Sequence, residues 1–515
     1  MIKKLENNKF KIVTFFLITL LFKPLWLFNN TNLGAPGDDM SYWLHSATLA
    51  FDQDFNYLND YEINHNIFNS ETNAPAHPPG AGYLASPFVY LFSLFDKVAG
   101  TPDAYTRINP VKSFAYAGYF IAGLIYTFFG SYFLSKIVKK YNNKYAGLLL
   151  FSGLMSTLIH FVSTRFLMSH ASEFFLCSLI IYIFEKNDNK YLSKNDITKL
   201  VLTYFLLAIT RPSTFLYSLI LFLVYRNKFV FNKNFIFTYI IQISGFLLLY
   251  ISLSRKLYTK NYILLNSYGE YSNQYTSTIT FDQFLKGIVD LPNLFLSTNM
   301  GIAFSTPIVF LAFIVFLKNY LRENGKILDK VSMFFYFSAS FFPLLIWQGR
   351  EVAYGQRLLI GIIPVCVVIT SKYLVENYLV ASAKFLTFVS YSGYILFYSF
   401  EKLTLRPGTT LWGTKVGYTA ENYYLEVFKA FANYEIILSA LLRNIYSVDF
   451  FKFFNLKDFL SESSLVTNLS IQKIEKFLYY TDAYQSLDIS YLVLVNVAIF
   501  TFSFFYTKII SQLSR

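Results

Sequence analysis

Residues 112–140 read KSFAYAGYFIAGLIYTFFGSYFLSKIVKK. No residue from Ser113 to Ser135 is charged, and the basic turn Lys136-Ile137-Val138-Lys139-Lys140 follows at once. A run of this length can cross a bilayer as a helix, and lysines at one end mark the side that stays in the cytoplasm. The reading is a membrane helix over about 112–135. Working outward from it, apolar runs of about 17–22 residues recur along the chain. In hydrocarbon every backbone polar group must be paired within the protein, so these runs must be helices. The alternation expected of barrel strands is absent. The expected fold class is an all-α membrane protein: a polytopic bundle of about 12 transmembrane helices, with surface helices in the first outer loop.

Composition agrees with that class. The 515 residues are 54% hydrophobic, 20% aromatic and only 15% charged, with a mean hydropathy of +0.40. A soluble chain carries about a quarter charged residues. The net charge of +13 is scattered over short loops rather than gathered on one aromatic-interleaved face, which argues against a nucleic-acid partner. Cys177 and Cys366 both fall inside expected helices and supply neither a disulfide framework nor a metal site. Lys3, Lys4, Lys9 and Lys11 precede the first apolar run. No small-residue cleavage site follows it, and Lys23-Pro24-Leu25-Trp26 stands there instead, so the first helix is read as uncleaved.

The ladder of helices then runs as follows. Helix 1 covers 11–29 and the long outer loop 30–111 follows. After helix 2, helices 3 and 4 (145–161 and 170–184) share an outer corner. Helices 5 and 6 (197–210 and 213–225) meet at Arg211-Pro212. Helix 7 covers 235–253, and helices 8 and 9 cover 294–317 and 331–347. Helices 10 and 11 cover 357–370 and 385–400, and helix 12 covers 487–507. The loops this places in the cytoplasm hold about half of the 44 lysines and arginines, as the positive-inside rule requires. Both termini are expected to be cytoplasmic. Segment 80–96 is apolar but short and contains Pro87, and is read as a helix lying at the membrane surface. Three regions result: a transmembrane domain over 1–400, an outer-face helical segment over 401–486, and a last helix with a cytoplasmic tail over 487–515. The abundance of Asn, Lys, Ile and Tyr points to an AT-rich bacterial gene, hence to a bacterial inner (plasma) membrane.

The chemistry concentrates at the outer face. Asp38 and Asp39 directly follow helix 1. One carboxylate would cap a helix start, but two adjacent ones repel, and in a membrane-surface cleft such a pair can supply a general base. In the same loop, His77-Pro78-Pro79-Gly80 is a proline-fixed turn. An acid pair plus a neutral imidazole can hold a divalent cation (Mg, Mn or Ca) through Asp38, Asp39 and His77, or can face a phosphate. Arg165, His170, Arg211, Arg350, Glu351 and Arg357 all lie at outer helix ends. Each arginine taken singly can be snorkelling. Four at one face opposite an acid pair suit a lipid-linked phosphate or pyrophosphate bound bidentately.

Asp38-Asp39 after helix 1, His77-Pro78-Pro79, Thr210-Arg211-Pro212, Asn299-Met300-Gly301 with Thr306-Pro307, and Trp347 through Tyr354-Gly355-Gln356-Arg357 before Pro364 form an ordered series over roughly residues 10–370. In that order and spacing the chain resembles the polytopic GT-C glycosyltransferases. These include the protein O-mannosyltransferases, the aminoarabinose transferases of lipid A and the bacterial membrane mannosyltransferases. The resemblance implies transfer of a sugar, with inversion, from a polyprenyl-phosphate donor to a hydroxyl of a glycan, lipid or protein acceptor on the outer face. It assigns the role of base or metal ligand to Asp38 or Asp39. The pair here is Asp-Asp where the protein mannosyltransferases carry Asp-Glu. Two other classes compete. A flippase for a lipid-linked saccharide would place charge at mid-bilayer in broken helices. A polymer ligase or polymerase would place its site in the late outer segment, and the first-loop acid pair would then be dispensable.

Overall fold

The computed structural model describes residues 2–22, 37–57, 74, 75, 77–101, 113–142, 144–186, 191–230, 233–258, 281–297, 301–321, 327–346, 356–374, 376–400, 428 and 489–513. The described residues are helical and contain no strand, as a helical bundle requires. In chain order the helices are α1 (Ile2–Thr19), α2 (Gly37–Ala47), α3 (Gly80–Val98), α4 (Phe114–Tyr141), α5 (Ala146–Leu154) and α6 (Leu158–Ser163). Next come α7 (His170–Glu185), α8 (Lys194–Thr210), α9 (Pro212–Ser218), α10 (Ile220–Val224) and α11 (Lys233–Tyr258). The last group is α12 (Phe281–Val289), α13 (Leu291–Leu296), α14 (Ile302–Ser305), α15 (Pro307–Val315), α16 (Ile327–Ile346), α17 (Ile363–Tyr373), α18 (Asn377–Phe400) and α19 (Ile489–Leu513). The expected outer segment 401–486 lies outside the described residues, apart from Phe428.

Among the described residues, three helices are long and apolar enough to cross a membrane: Phe114–Tyr141, Ile236–Tyr258 and Val493–Gln512. These three are among about twelve expected spans, and the described helices are interrupted at several points. Two breaks share a cause. Arg211 (φ −148°, ψ 85°) and Thr306 (φ −143°, ψ 59°) each precede a proline that opens the next helix. The proline ring drives the preceding residue out of the helical region. The expected helix 3 is split without proline, into α5 and α6. Here Ser156 Oγ donates to the Gly153 carbonyl at 2.6 Å and accepts the Leu158 N–H at 3.2 Å, so a side chain replaces the backbone ladder. Thr157 and Thr306 meet at 2.9 Å through their hydroxyls; the two breaks are packed against each other.

Helix α3 differs from its expected placement. It runs antiparallel to the N-terminal half of α4 rather than across it. Asp96 accepts the N–H groups of Phe114 and Ala115, each at 2.8 Å. One to two turns earlier in α3, Phe88 and Phe92 lie against Gly118, and Tyr126 Oη donates to the Leu84 carbonyl at 2.6 Å. A helix aligned with a membrane-crossing one cannot lie flat at the surface. The stabilising reason is visible in Asp96: its buried carboxylate satisfies two orphan donors at the start of α4.

The bundle has two chemically different ends. At one end Glu185 joins four helices. Its carboxylate accepts Tyr141 Oη at 2.6 Å, Tyr225 Oη at 2.7 Å and Lys372 Nζ at 2.9 Å, and its carbonyl accepts Lys140 Nζ at 3.1 Å. Lys186 pairs with Asp196, Arg226 with Asp329 and Lys318 with Glu376 at the same end. These are the loops whose lysines fixed the ladder. The acid pair, the His77 turn and the helix corners of Arg165, Arg211 and Arg357 gather at the other end.

Candidate functional site

The site begins with α2. Its first turn carries Asp39, and its third carries His45, both buried. Asp39 Oδ2 accepts the Nε–H of Arg165 at 2.8 Å, and Nη2 of the same guanidinium stands 2.8 Å from that oxygen as an ion pair. Arg165 comes from the short stretch between α6 and α7. Around the pair stands an aromatic wall: Trp43 packs edge-on to Tyr116 at 5.6 Å, and Tyr116 to Phe166 at 5.1 Å. A charge-assisted hydrogen bond reinforced by an ion pair in apolar surroundings makes a strong, geometrically defined contact. Asp38 opens the same helix, but its side chain lies outside the described residues.

The His77 turn is fastened by three hydrogen bonds from two side chains, His45 and Tyr258. His45 Nε2 lies 2.8 Å from the His77 carbonyl and must carry the proton, so Nδ1 accepts Tyr57 Oη at 2.7 Å. Tyr83 then donates to Tyr57 at 3.2 Å. Tyr258, at the tip of α11, donates to the carbonyls of Pro75 and His77, each at 3.0 Å. Burial drives the His45 pKa down to about 3, which keeps this imidazole neutral. The His77 ring packs on Tyr42 at 5.4 Å between centroids. Gly80 places this turn against the α8–α9 corner: a Cβ there would stand 2.3 Å from Thr210 Oγ1 and 2.7 Å from Thr210 N. The His77-Pro78-Pro79-Gly80 and Thr210-Arg211-Pro212 motifs are thus in direct contact.

A second carboxylate, Glu173, was not anticipated. It lies fully buried on the first turn of α7. His170 Nδ1 donates to Glu173 Oε2 at 2.8 Å, and Arg211 Nε stands 3.9 Å from the same oxygen. Thr214 donates to Oε1, and the Gly361 N–H donates to the carboxylate. Gly361 belongs to the 3₁₀ turn Arg357–Ile362. His160, also buried, interacts electrostatically with Arg165, His170 and Arg357. The signal for Glu173 was available: an acid three positions after His170 shares its helix face, in a run otherwise without charge.

The structure therefore brings Asp39, His77, Arg165, His170, Arg211 and Arg357 to one end of the bundle. Arg350 and Glu351 lie outside the described residues. The metal expectation fares differently. Among the described residues no group of three or more His, Cys, Asp or Glu could hold a metal ion. Asp39 already carries the Arg165 guanidinium on Oδ2, which sets a positive charge where a divalent cation would have to approach. The expected ligand set includes Asp38, whose side chain lies outside the described residues; the guanidinium groups from three separate elements fit an anion.

The chain matches no protein-family model, no curated protein and no solved structure.

Proposed function

We propose that the protein is a glycosyltransferase of the bacterial plasma membrane, with both termini cytoplasmic, that uses a polyprenyl-phosphate sugar on the outer face. The observation that carries the reading is the convergence of Arg165, Arg211 and Arg357 from three separate elements on the end that holds Asp39 and the His77 turn. Buried guanidinium groups at a helix-end cluster are costly unless they serve an anion. In a bilayer whose hydrocarbon holds the prenyl tail, a phosphate at the outer leaflet is such an anion.

The reaction asks for few parts. The acceptor hydroxyl attacks the anomeric carbon from the face opposite the phosphate. Its O–C bond forms while the anomeric C–O bond to phosphate breaks, and the bonding pair leaves on polyprenyl phosphate. The arginines stabilise the phosphate charge. The hydroxyl proton passes to a carboxylate. Asp39 Oδ2 is occupied by Arg165, so the acid pair divides its work: Asp39 holds Arg165, and Asp38 takes the proton. General-base assistance is worth about 10²–10⁴-fold.

One observation favours a second reading. The broken helices that meet at Thr157 and Thr306 have the architecture expected of a transporter for a lipid-linked saccharide. The experiment that separates the two is transfer of label from polyprenyl-phosphate sugars in membranes containing wild type, Asp38→Asn or Asp39→Asn at matched expression. Transfer by wild type and its loss in Asp38→Asn support the enzyme. Movement of intact donor across the bilayer without transfer supports the transporter.

A further inference from the structure

We propose that Glu173 is a positioning residue that holds Arg211 and Arg357 in one register, so that guanidinium groups from two different elements face a single phosphate. The inference rests on the anion-binding reading of this end of the molecule. Its geometry does not depend on that reading.

The carboxylate of Glu173 is the point where three elements meet. His170 belongs to its own helix, α7. Thr214, one turn into α9, donates to Oε1, and Arg211, the residue before α9, faces Oε2 at 3.9 Å. The Gly361 amide comes from the 3₁₀ turn that Arg357 opens. One side chain thus fixes the α8–α9 corner and the Arg357 turn against the start of α7. The approach of the third element is close: a Cβ on Gly361 would lie 2.7 Å from Glu173 Oε1 and 2.5 Å from Thr214 Cγ2.

A plain structural knot would need only hydrogen-bond donors. Glu173 instead has the Arg211 guanidinium 3.9 Å from one edge, with His170, Thr214 and the Gly361 amide donating to it directly. At 3.9 Å the Arg211 guanidinium is held beside the carboxylate by charge rather than by a direct hydrogen bond. A carboxylate accepts from all of these groups at once, whereas the amide of glutamine turns an N–H₂ toward at least one donor. Glu173→Gln therefore keeps the volume and disturbs the registration.

The test is phenylglyoxal labelling of arginines in membranes containing the full chain, read peptide by peptide by mass spectrometry. Arg226, paired with Asp329 at the opposite end, is the internal standard. In Glu173→Gln, Arg211 and Arg357 both label at least about fivefold faster than in wild type while Arg226 is unchanged, as expected when a local restraint is released. Gly361→Ala, which pushes the 3₁₀ turn away, raises Arg357 more than Arg211. Unchanged rates for both arginines in Glu173→Gln overturn the proposal. Should that variant unfold, shown by faster labelling of Arg226 too, Thr214→Val decides. It removes a single donor, and it must speed Arg211 alone among these three, since no change refutes the restraint. Added undecaprenyl phosphate gives the separate arm. In wild type it slows labelling of Arg211 and Arg357 together, and in Glu173→Gln that protection is lost. If it protects neither arginine in wild type while the substitution still releases both, Glu173 positions the arginines and the phosphate reading fails.

Discussion

Arg165→Met, Asp39→Asn and their combination form a cycle whose outcome follows from the burial of the pair. Both side chains are nearly inaccessible, at 7% and 8% exposure, with Nε donating to Oδ2 at 2.8 Å and Nη2 in ion-pair contact with the same oxygen. Removing the guanidinium alone leaves a carboxylate inside an aromatic wall, and this costs about 3–5 kcal/mol. Removing the carboxylate charge alone strands the guanidinium at a similar cost. Neutralising both is far milder, because replacing a buried ion pair with neutral groups of like volume is often nearly free. The double variant should therefore recover most of the loss, with a coupling energy of about 2–4 kcal/mol. Equilibrium unfolding in mixed micelles with rising sodium dodecyl sulfate measures it. Losses that simply add, with coupling below about 0.5 kcal/mol, would mean the pair does not exist and would remove the reason for giving Asp39 an anchoring role. The same cycle carries a functional arm. Asp38→Asn abolishes transfer without loss of stability, whereas Asp39→Asn loses both.

Three other outcomes follow from the packing and charge described above. Gly80→Ala drives a Cβ into Thr210 and should cost about 1–3 kcal/mol, read as lower thermal stability together with weaker lipid-phosphate binding, because the His77 turn and the Arg211 corner separate. The folded state resists protonation of His45 down to about pH 3, whereas the unfolded imidazole takes its proton near 6.5. Acid therefore favours the unfolded chain: stability is full above pH 6.5 and falls by about 1.4 kcal/mol per pH unit below it. His45→Gln flattens that slope when unfolding is followed from about pH 7.5 to about pH 5. At the opposite end, Glu185→Gln turns an N–H₂ toward at least one of Tyr141, Tyr225 and Lys372 and removes the charge opposite Lys372, which should cost about 1–3 kcal/mol, while undecaprenyl phosphate protection of Arg211 stays as in wild type.

What could be read beforehand divides along physical lines. Phe114–Tyr141, His170–Glu185 and Lys194–Thr210 were legible within a few residues, because an uncharged run bounded by lysines has one stable solution in a bilayer. The grouping of Lys140, Glu185, Arg226, Lys318 and Lys372 at one end was legible from the same lysines. The break at Ser156 was not, since a serine inside an apolar run gives no sign of whether it will take over the backbone ladder. Arg211-Pro212 was read as a corner, but Thr306-Pro307 was passed over inside a continuous span, although the pre-proline restriction is the same. The lengthwise packing of α3 on α4 depends on where Asp96 falls relative to Phe114, a tertiary fact. At the site, the arginine cluster was visible as charge at helix ends. Glu173 was missed because attention to cations left a single buried acid unweighed, and the Asp39–Arg165 pairing could not be deduced from residues so far apart in the chain.

That separation has a consequence for synthesis. Asp39 precedes Arg165 by 126 residues, and the His77 turn precedes Tyr258 by 181. At about 5–20 residues per second, the acidic helix waits roughly 6–25 s for its cation, and the turn waits roughly 9–36 s for the tyrosine that pins it. The first loop to emerge is therefore among the last to close. During that interval its carboxylates face water or a helper protein, and the order of events at the ribosome decides when the outer end of the bundle acquires its final shape.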